Sequence, residues 1–204
     1  MKHFRVATIE LLAFAVVAVA VTQTGQGQES AVRVPAEPKG SPQIEEMLRA
    51  FEGTWSIKEK FAPDADSPNG ATGEGQIVWR AGPGRFSVIE EYRSKRESAE
   101  VTGLGVFWWD GAAPGYRTIW CDSTNPGGCI SFKNVVRWEG PQFVLVEDYE
   151  VNGKKVTFKE VFNDIAPGAF TQTLYGGESG KELKVDQIIQ ATKVTRLPCK
   201  ELRK

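Results

Sequence analysis

Thr54-Trp55-Ser56-Ile57-Lys58-Glu59-Lys60-Phe61 changes character at every second residue. Successive side chains of a β-strand point to opposite faces, so Trp55, Ile57, Glu59 and Phe61 share one face and Thr54, Ser56, Lys58 and Lys60 the other. Working outward, the same period runs almost without interruption to Arg196 and predicts strands near 54–61, 74–81, 85–94, 99–109, 115–122, 128–133, 134–139, 142–151, 154–164, 169–176 and 183–195. The two pieces around Asn134 also read as one bent strand, which gives ten. The connectors are short and suit tight turns: Gly82-Pro83-Gly84, Asp110-Gly111, Asn125-Pro126-Gly127-Gly128, Asn152-Gly153 and Gly176 to Gly180. Hairpin following hairpin makes an all-β, antiparallel, up-and-down sheet, and closing it into a barrel removes the edges it would otherwise expose.

Before the strands, Ser41 is placed to cap a helix with Pro42 at its first position, and Ile44, Met47, Leu48 and Phe51 form one apolar stripe. Gly53 is expected to end it as a left-handed cap. A helix this short must pack its stripe onto something, most simply one end of the barrel. The basic start Met1 to Arg5, the apolar run from Leu11 to Val21 and the small-x-small site Ala18-Val19-Ala20 predict an exported chain with a signal peptide at 1–20. The run is short for a membrane span, so no stable membrane insertion is expected after cleavage. Residues 21–41 read as a flexible linker, 42–196 as the barrel domain and 197–204 as a basic C-terminal tail.

Removing 1–20 takes Lys2, Arg5 and Glu10 and leaves 23 basic and 25 acidic residues, a net charge of minus two. That balance offers no basic field for nucleic acid and no polybasic patch for anionic lipid. The 41% apolar content, with six Trp and eleven Phe, is ample for a core.

Several motifs carry a family resemblance. Phe51-x-Gly53-Thr54-Trp55 resembles the Gly-x-Trp opening of lipocalin-like barrels, in which the Trp seals the closed end. Gly84-Arg85-Phe86, Glu91-Tyr92, Gly103-x-Gly105, Asp110, Tyr116 and Trp120-x-Asp122 follow the order and spacing of a secreted bacterial family of unknown function. The resemblance covers roughly Ile44 to Lys193. It implies a calycin-like barrel and ligand binding, with no activity to carry over. Nitrobindins, a related barrel type, bind haem through a histidine that has no equivalent here.

His3 is the only histidine and leaves with the signal peptide. The mature chain then lacks the imidazole of a Ser-His-Asp triad, a Cys-His pair, a His-ligated zinc site or a His-ligated haem, and neither cofactor nor metal is expected. Gly177-Glu178-Ser179-Gly180-Lys181 has a phosphate-loop look, but Tyr175 and Glu182 replace required residues and the stretch joins two strands. Cys121 and Cys129 flank the Asn-Pro-Gly-Gly turn and suit a local disulfide; three unpaired cysteines, or pairing with Cys199, are the alternatives.

Acids recur on the apolar phase. Glu59 shares a face with Trp55, Glu90 with Phe86, Val88 and Tyr92, Glu160 with Val156, Phe158 and Phe162, and Glu147 with Phe143, Leu145 and Tyr149. Tyr116, Thr118, Trp120 and Asp122 repeat the pattern. An inward acid is costly unless bonded, which leaves three readings. The acids pair with internal groups such as Arg85, Arg117, Arg137, Gln172 or Gln187 and hold register. Or Glu59, Glu90 and Glu160 are the polar contacts of a ligand pocket lined by Trp55, Phe86, Tyr92, Trp120, Phe158 and Phe162. Or one of them, desolvated, is the general acid or base of an isomerase or hydrolase. Trp108-Trp109 sends one ring to each face, and an exposed ring would suit a partner or carbohydrate. The combined expectation is an exported barrel that binds a small, largely apolar ligand without transforming it; an envelope interaction module is the remaining alternative.

Overall fold

The computed structural model describes residues 40–64, 67–96 and 99–195. The expected signal peptide at 1–20, most of the linker at 21–41, and the tail at 197–204 with Cys199 lie outside the described residues.

Helix α1 (Pro42–Phe51) begins at Ser41, whose hydroxyl accepts from the Ile44 amide at 3.3 Å. Its buried residues are Ile44, Met47, Leu48 and Phe51, the predicted stripe. α1 closes on Glu52, whose amide donates to the Leu48 carbonyl, and Gly53 follows it directly, at the expected position, while also opening the first strand. Gly53 does carry the positive φ that favours glycine, +136°, but uses it to turn the chain into that strand.

The strands are β1 (Gly53–Phe61), β2 (Ala71–Ala81), β3 (Ser87–Arg96), β4 (Glu100–Asp110), β5 (Gly115–Asp122), β6 (Cys129–Ser131), β7 (Arg137–Glu139), β8 (Gln142–Val151), β9 (Lys154–Ala166), β10 (Ala169–Glu178) and β11 (Lys184–Lys193). They form one antiparallel sheet in the order β6-β5-β4-β3-β2-β1-β11-β10-β9-β8-β7. Sequence neighbours are sheet neighbours, except that β1 pairs with both β2 and β11, while β6 and β7 stand at the two ends of the order. Tyr116 and Val136 exchange two backbone hydrogen bonds of 2.8 Å and join those ends, and the Phe132 amide donates to the Thr118 carbonyl at 3.3 Å. The stretch from β6 to β7 therefore acts as the bent strand the sequence allowed. The Gly177 to Lys181 stretch is the β10–β11 turn, where the Lys181 amide donates to the Glu178 carbonyl at 3.0 Å.

Alternation along β1 places Trp55, Ile57 and Glu59 inside and Ser56, Lys58 and Lys60 outside. At one end of the barrel the interior is filled by rings. Phe51 of α1 sits 5.1 Å from Trp79, 5.3 Å from Phe162, 5.5 Å from Phe170 and 5.9 Å from Phe143, centroid to centroid. The Trp55 indole donates to the Phe51 carbonyl at 2.7 Å, and the Tyr116 hydroxyl to the Gln43 carbonyl at 2.8 Å. The helix is thus both packed and bonded into that end. Trp108 is exposed while Trp109 turns inward onto Tyr116, at 5.2 Å.

Cys121 and Cys129 stand opposite each other across β5 and β6 and are joined by a disulfide. All three residues of β6 are exposed. No helix among the described residues is long and apolar enough to cross a membrane, and no group of three or more His, Cys, Asp or Glu there is arranged to hold a metal ion.

Candidate functional site

The end of the barrel away from the aromatic plug holds a cavity of about 210 Å³. It has room for about seven waters at ~30 Å³ each, below the ~300–1,000 Å³ of ordinary ligand pockets, so it suits a small molecule. Val101, Phe107, Phe132, Phe158, Leu174 and Ile189 supply apolar wall, Tyr92 and Trp120 supply rings with polar tips, and Glu90, Arg96, Thr118, Asp122, Thr124, Glu160, Gln172 and Gln187 supply polar groups.

Two glycines help to make the space. β4 pairs with β3 on one side and β5 on the other, and Gly105 stands opposite both Glu90 and Trp120. A methyl group built on Gly103 would come within 2.5 Å of the Trp120 ring, and one on Gly105 within 3.0 Å of Glu90 Oε2. A side chain at either position would press on the residues that form the wall.

The three inward acids have different surroundings. Glu59 is 3% exposed and accepts from the Tyr92 and Ser94 hydroxyls and from Gln187 Nε2 at 2.8 Å, with Arg96 Nε 3.8 Å away. Arg96 in turn lies over the Phe61 ring, 4.2 Å from its centroid, and donates to the Tyr92 hydroxyl at 3.4 Å. Burial, followed by the bond to Glu59, pushes the Tyr92 hydroxyl up to about 12, so it stays a donor. Glu59 is a structural knot joining β1, β3 and β11, and it lies behind the cavity wall rather than in it.

Glu90 is 4% exposed and faces the cavity, with no hydrogen-bond partner among the described residues. Burial pushes its carboxyl well above the usual range, and Glu160 adds to the rise. Glu160 accepts from Gln172 Nε2, and burial pushes it up to about 7 against that bond. β3 and β9 are not neighbours in the sheet, so Glu160 acts on Glu90 across the interior. Gln172 Oε1 is buried without a partner. Asp122 behaves oppositely: burial works to raise it, but bonds from the Thr124 hydroxyl and amide and from the Trp120 indole hold it below the ordinary value.

Of the residues predicted from phase, Glu90, Tyr92, Trp120, Phe158 and Glu160 line the cavity. Trp55 is buried at the plugged end, 4.8 Å from Phe170, and Phe162 belongs to the same packed cluster. Phe86 is the clear correction: it is 51% exposed, because the 3₁₀ turn Pro83–Arg85 carries it in helical backbone (φ −89°, ψ −10°) and β3 starts only at Ser87. Tyr149, expected inside, is 47% exposed, four residues beyond the buried Leu145 on the same strand. Gln172 and Gln187 are acid partners as expected, whereas Arg85 bonds Glu45, Arg117 bonds Asp110 and Arg137 bonds the Pro114 carbonyl, away from the inward acids.

Sequence reasoning missed Phe132, which lies in the irregular stretch after β6 where there is no period to follow. It also missed Val101 and Phe107. Their signal was present in Val101-x-Gly103-x-Gly105-x-Phe107, where small residues on the inward phase mark a wall with space in front of it.

No protein-family model matches this sequence, and no curated protein does. Among solved structures, the chain is similar to the S-type phycobiliprotein lyase CPES from Guillardia theta, at 12% identity and a TM-score of 0.50, over 76% of this chain and 94% of that one. It is also similar to Rv2717c from M. tuberculosis, at 10% identity and a TM-score of 0.49, over 77% and 100%. Identities this low speak to architecture alone. With the first of these likenesses and the strand order above, the molecule is a calycin-like antiparallel β-barrel, plugged at one end and hollow at the other.

Proposed function

We propose that this is an exported barrel that holds a small, largely apolar ligand in its end cavity and releases it unchanged. The observation that carries this reading is a hollow walled by Phe107, Trp120, Phe132, Phe158, Leu174 and Ile189 with a few polar groups reaching into it. That composition is typical of ligand pockets, mostly apolar with a small number of directional contacts. Of the cavity hydroxyls, Thr124 bonds Asp122 within one turn, where further bonds hold that carboxyl below its ordinary value and make it a weak base, and Tyr92 bonds Glu59 behind the wall, which supports binding over chemistry.

Native mass spectrometry of the protein taken from its own host tests both halves. The expected spectrum is a chain lacking residues 1–20 plus a small-molecule adduct, with the adduct missing from Leu174→Trp, whose larger side chain fills the space. A bare polypeptide, together with no thermal shift across a broad metabolite panel, would end the binding reading; a full-length mass would end the export reading.

The facing carboxyls Glu90 and Glu160 favour one second reading, proton transfer on a bound substrate, because burial has raised both. Turnover that disappears in Glu90→Gln or Glu160→Gln would put that reading in place of the first.

A further inference from the structure

Resting on the binding reading, we infer that the preferred ligand carries a protonated amine on an apolar, aromatic-compatible body, with the amine set between Glu90 and Glu160. The first argument is a count of donors and acceptors. Glu90 is 4% exposed and lines the cavity, and no group among the described residues bonds its carboxyl, so its oxygens open onto the hollow. Glu160 has one donor, the Gln172 amide, and the buried Gln172 Oε1 has none. With both carboxyls ionised beside a bound cation, this part of the wall presents acceptors in excess of donors; Arg96 Nε, elsewhere on the wall, is a buried donor that makes no hydrogen bond. An ammonium group brings three donors and no acceptor, whereas an alcohol brings one donor and adds acceptors of its own.

The second argument is charge. Arg96 is the cation on the cavity wall, and Glu59 and the Tyr92 hydroxyl already engage it. The other titratable groups on the cavity wall are Tyr92 and Arg96, on Glu90's own strand β3, and Asp122 of β5, while β4, β10 and β11 present no titratable side chain to the cavity. Asp122 is bonded to Thr124 and Trp120. Glu90 and Glu160 are thus left without a counter-charge. Burial favours the protonated, neutral form of both carboxyls in the empty cavity; an ammonium placed between them supplies the counter-charge that lets them ionise, whereas a carboxylate meets only Arg96, already engaged by Glu59 and Tyr92. The third argument is the body of the ligand: Trp120, Phe132 and Phe158 offer ring faces, which attract both aromatic groups and the amine itself.

The test is calorimetric titration of the protein at pH 8 with three probes of matched shape: 2-phenylethylamine, 2-phenylethanol and 3-phenylpropionate. The amine should bind at least ten-fold more tightly than the alcohol, with the carboxylate weakest, and the preference should shrink to within about three-fold in Glu90→Gln and Glu160→Gln. Both variants keep the size of the side chain they replace. Should either fail to fold, the amine-to-alcohol ratio in the unaltered protein decides the matter alone. Equal binding of alcohol and amine would overturn the amine while leaving a ligand site in place; no binding by any of the three would overturn both.

Discussion

The two ends of this barrel are built from the same alternation and have opposite contents. At the plugged end, inward positions carry Trp55, Trp79, Phe143, Phe162 and Phe170, and Phe51 of α1 fills the space left between them. At the hollow end, inward positions carry Glu90, Glu160, Gln172 and two glycines, and no helix among the described residues covers them. The first end is closed by dispersion and excluded water, the second kept open by groups that resist burial. Close packing and free space are therefore concentrated at different ends of one sheet.

The sharpest way to break the comparison is to empty the plug. Phe51→Ala removes a side chain that is 0% exposed and touches five other rings, and should cost about 3–5 kcal/mol in urea unfolding. A loss near zero would mean the rings do not close that end. Next comes pH, which acts at the hollow end. Glu160 and Glu90 both hold their protons in the folded chain at pH values where the unfolded chain has lost them. Their contribution is intact below the ordinary carboxyl value of 4.5 and disappears as pH climbs to about 7 for Glu160, and higher for Glu90. The Glu160 part corresponds to about 3 kcal/mol at ~1.4 kcal/mol per pH unit. Urea midpoints measured from pH 4.5 to 8 should fall accordingly, and Glu160→Gln should flatten the descent; an unchanged slope in the variant would mean its carboxyl is not desolvated. The smallest effect returns to the plug. Ser41→Ala deletes the cap of α1 and should lower stability by about 1 kcal/mol without altering the pH response.

How legible all this was in the sequence follows the same division. Strand positions were legible because period two is a local property, and β1, β5, β8 and β9 start within a residue of where the alternation puts them. β2 begins three residues earlier than expected, because Ala71-Thr72-Gly73 carries no apolar phase to read. Phe86 failed for a related reason: its spacing to Val88 and Glu90 continues the alternation on paper, but its backbone is helical and breaks it in space. The division of labour among the acids was out of reach. Glu59 and Glu90 look alike in sequence, and what separates them is a partner 128 residues away, Gln187, together with hydroxyls brought in by register. Neighbours supplied by tertiary pairing leave no periodic trace.

β6 gives the barrel its last distinctive property. Its three residues are all exposed, so no burial holds that strand in the wall; its backbone pairing with β5 and the Cys121–Cys129 bond do. By alternation the bond sits on the outer surface, between Trp120 and Asp122, which face the cavity. The contour of the mouth thus depends on a two-electron chemical state as well as on folding, and a thiol reagent can act on it from outside without occupying the interior.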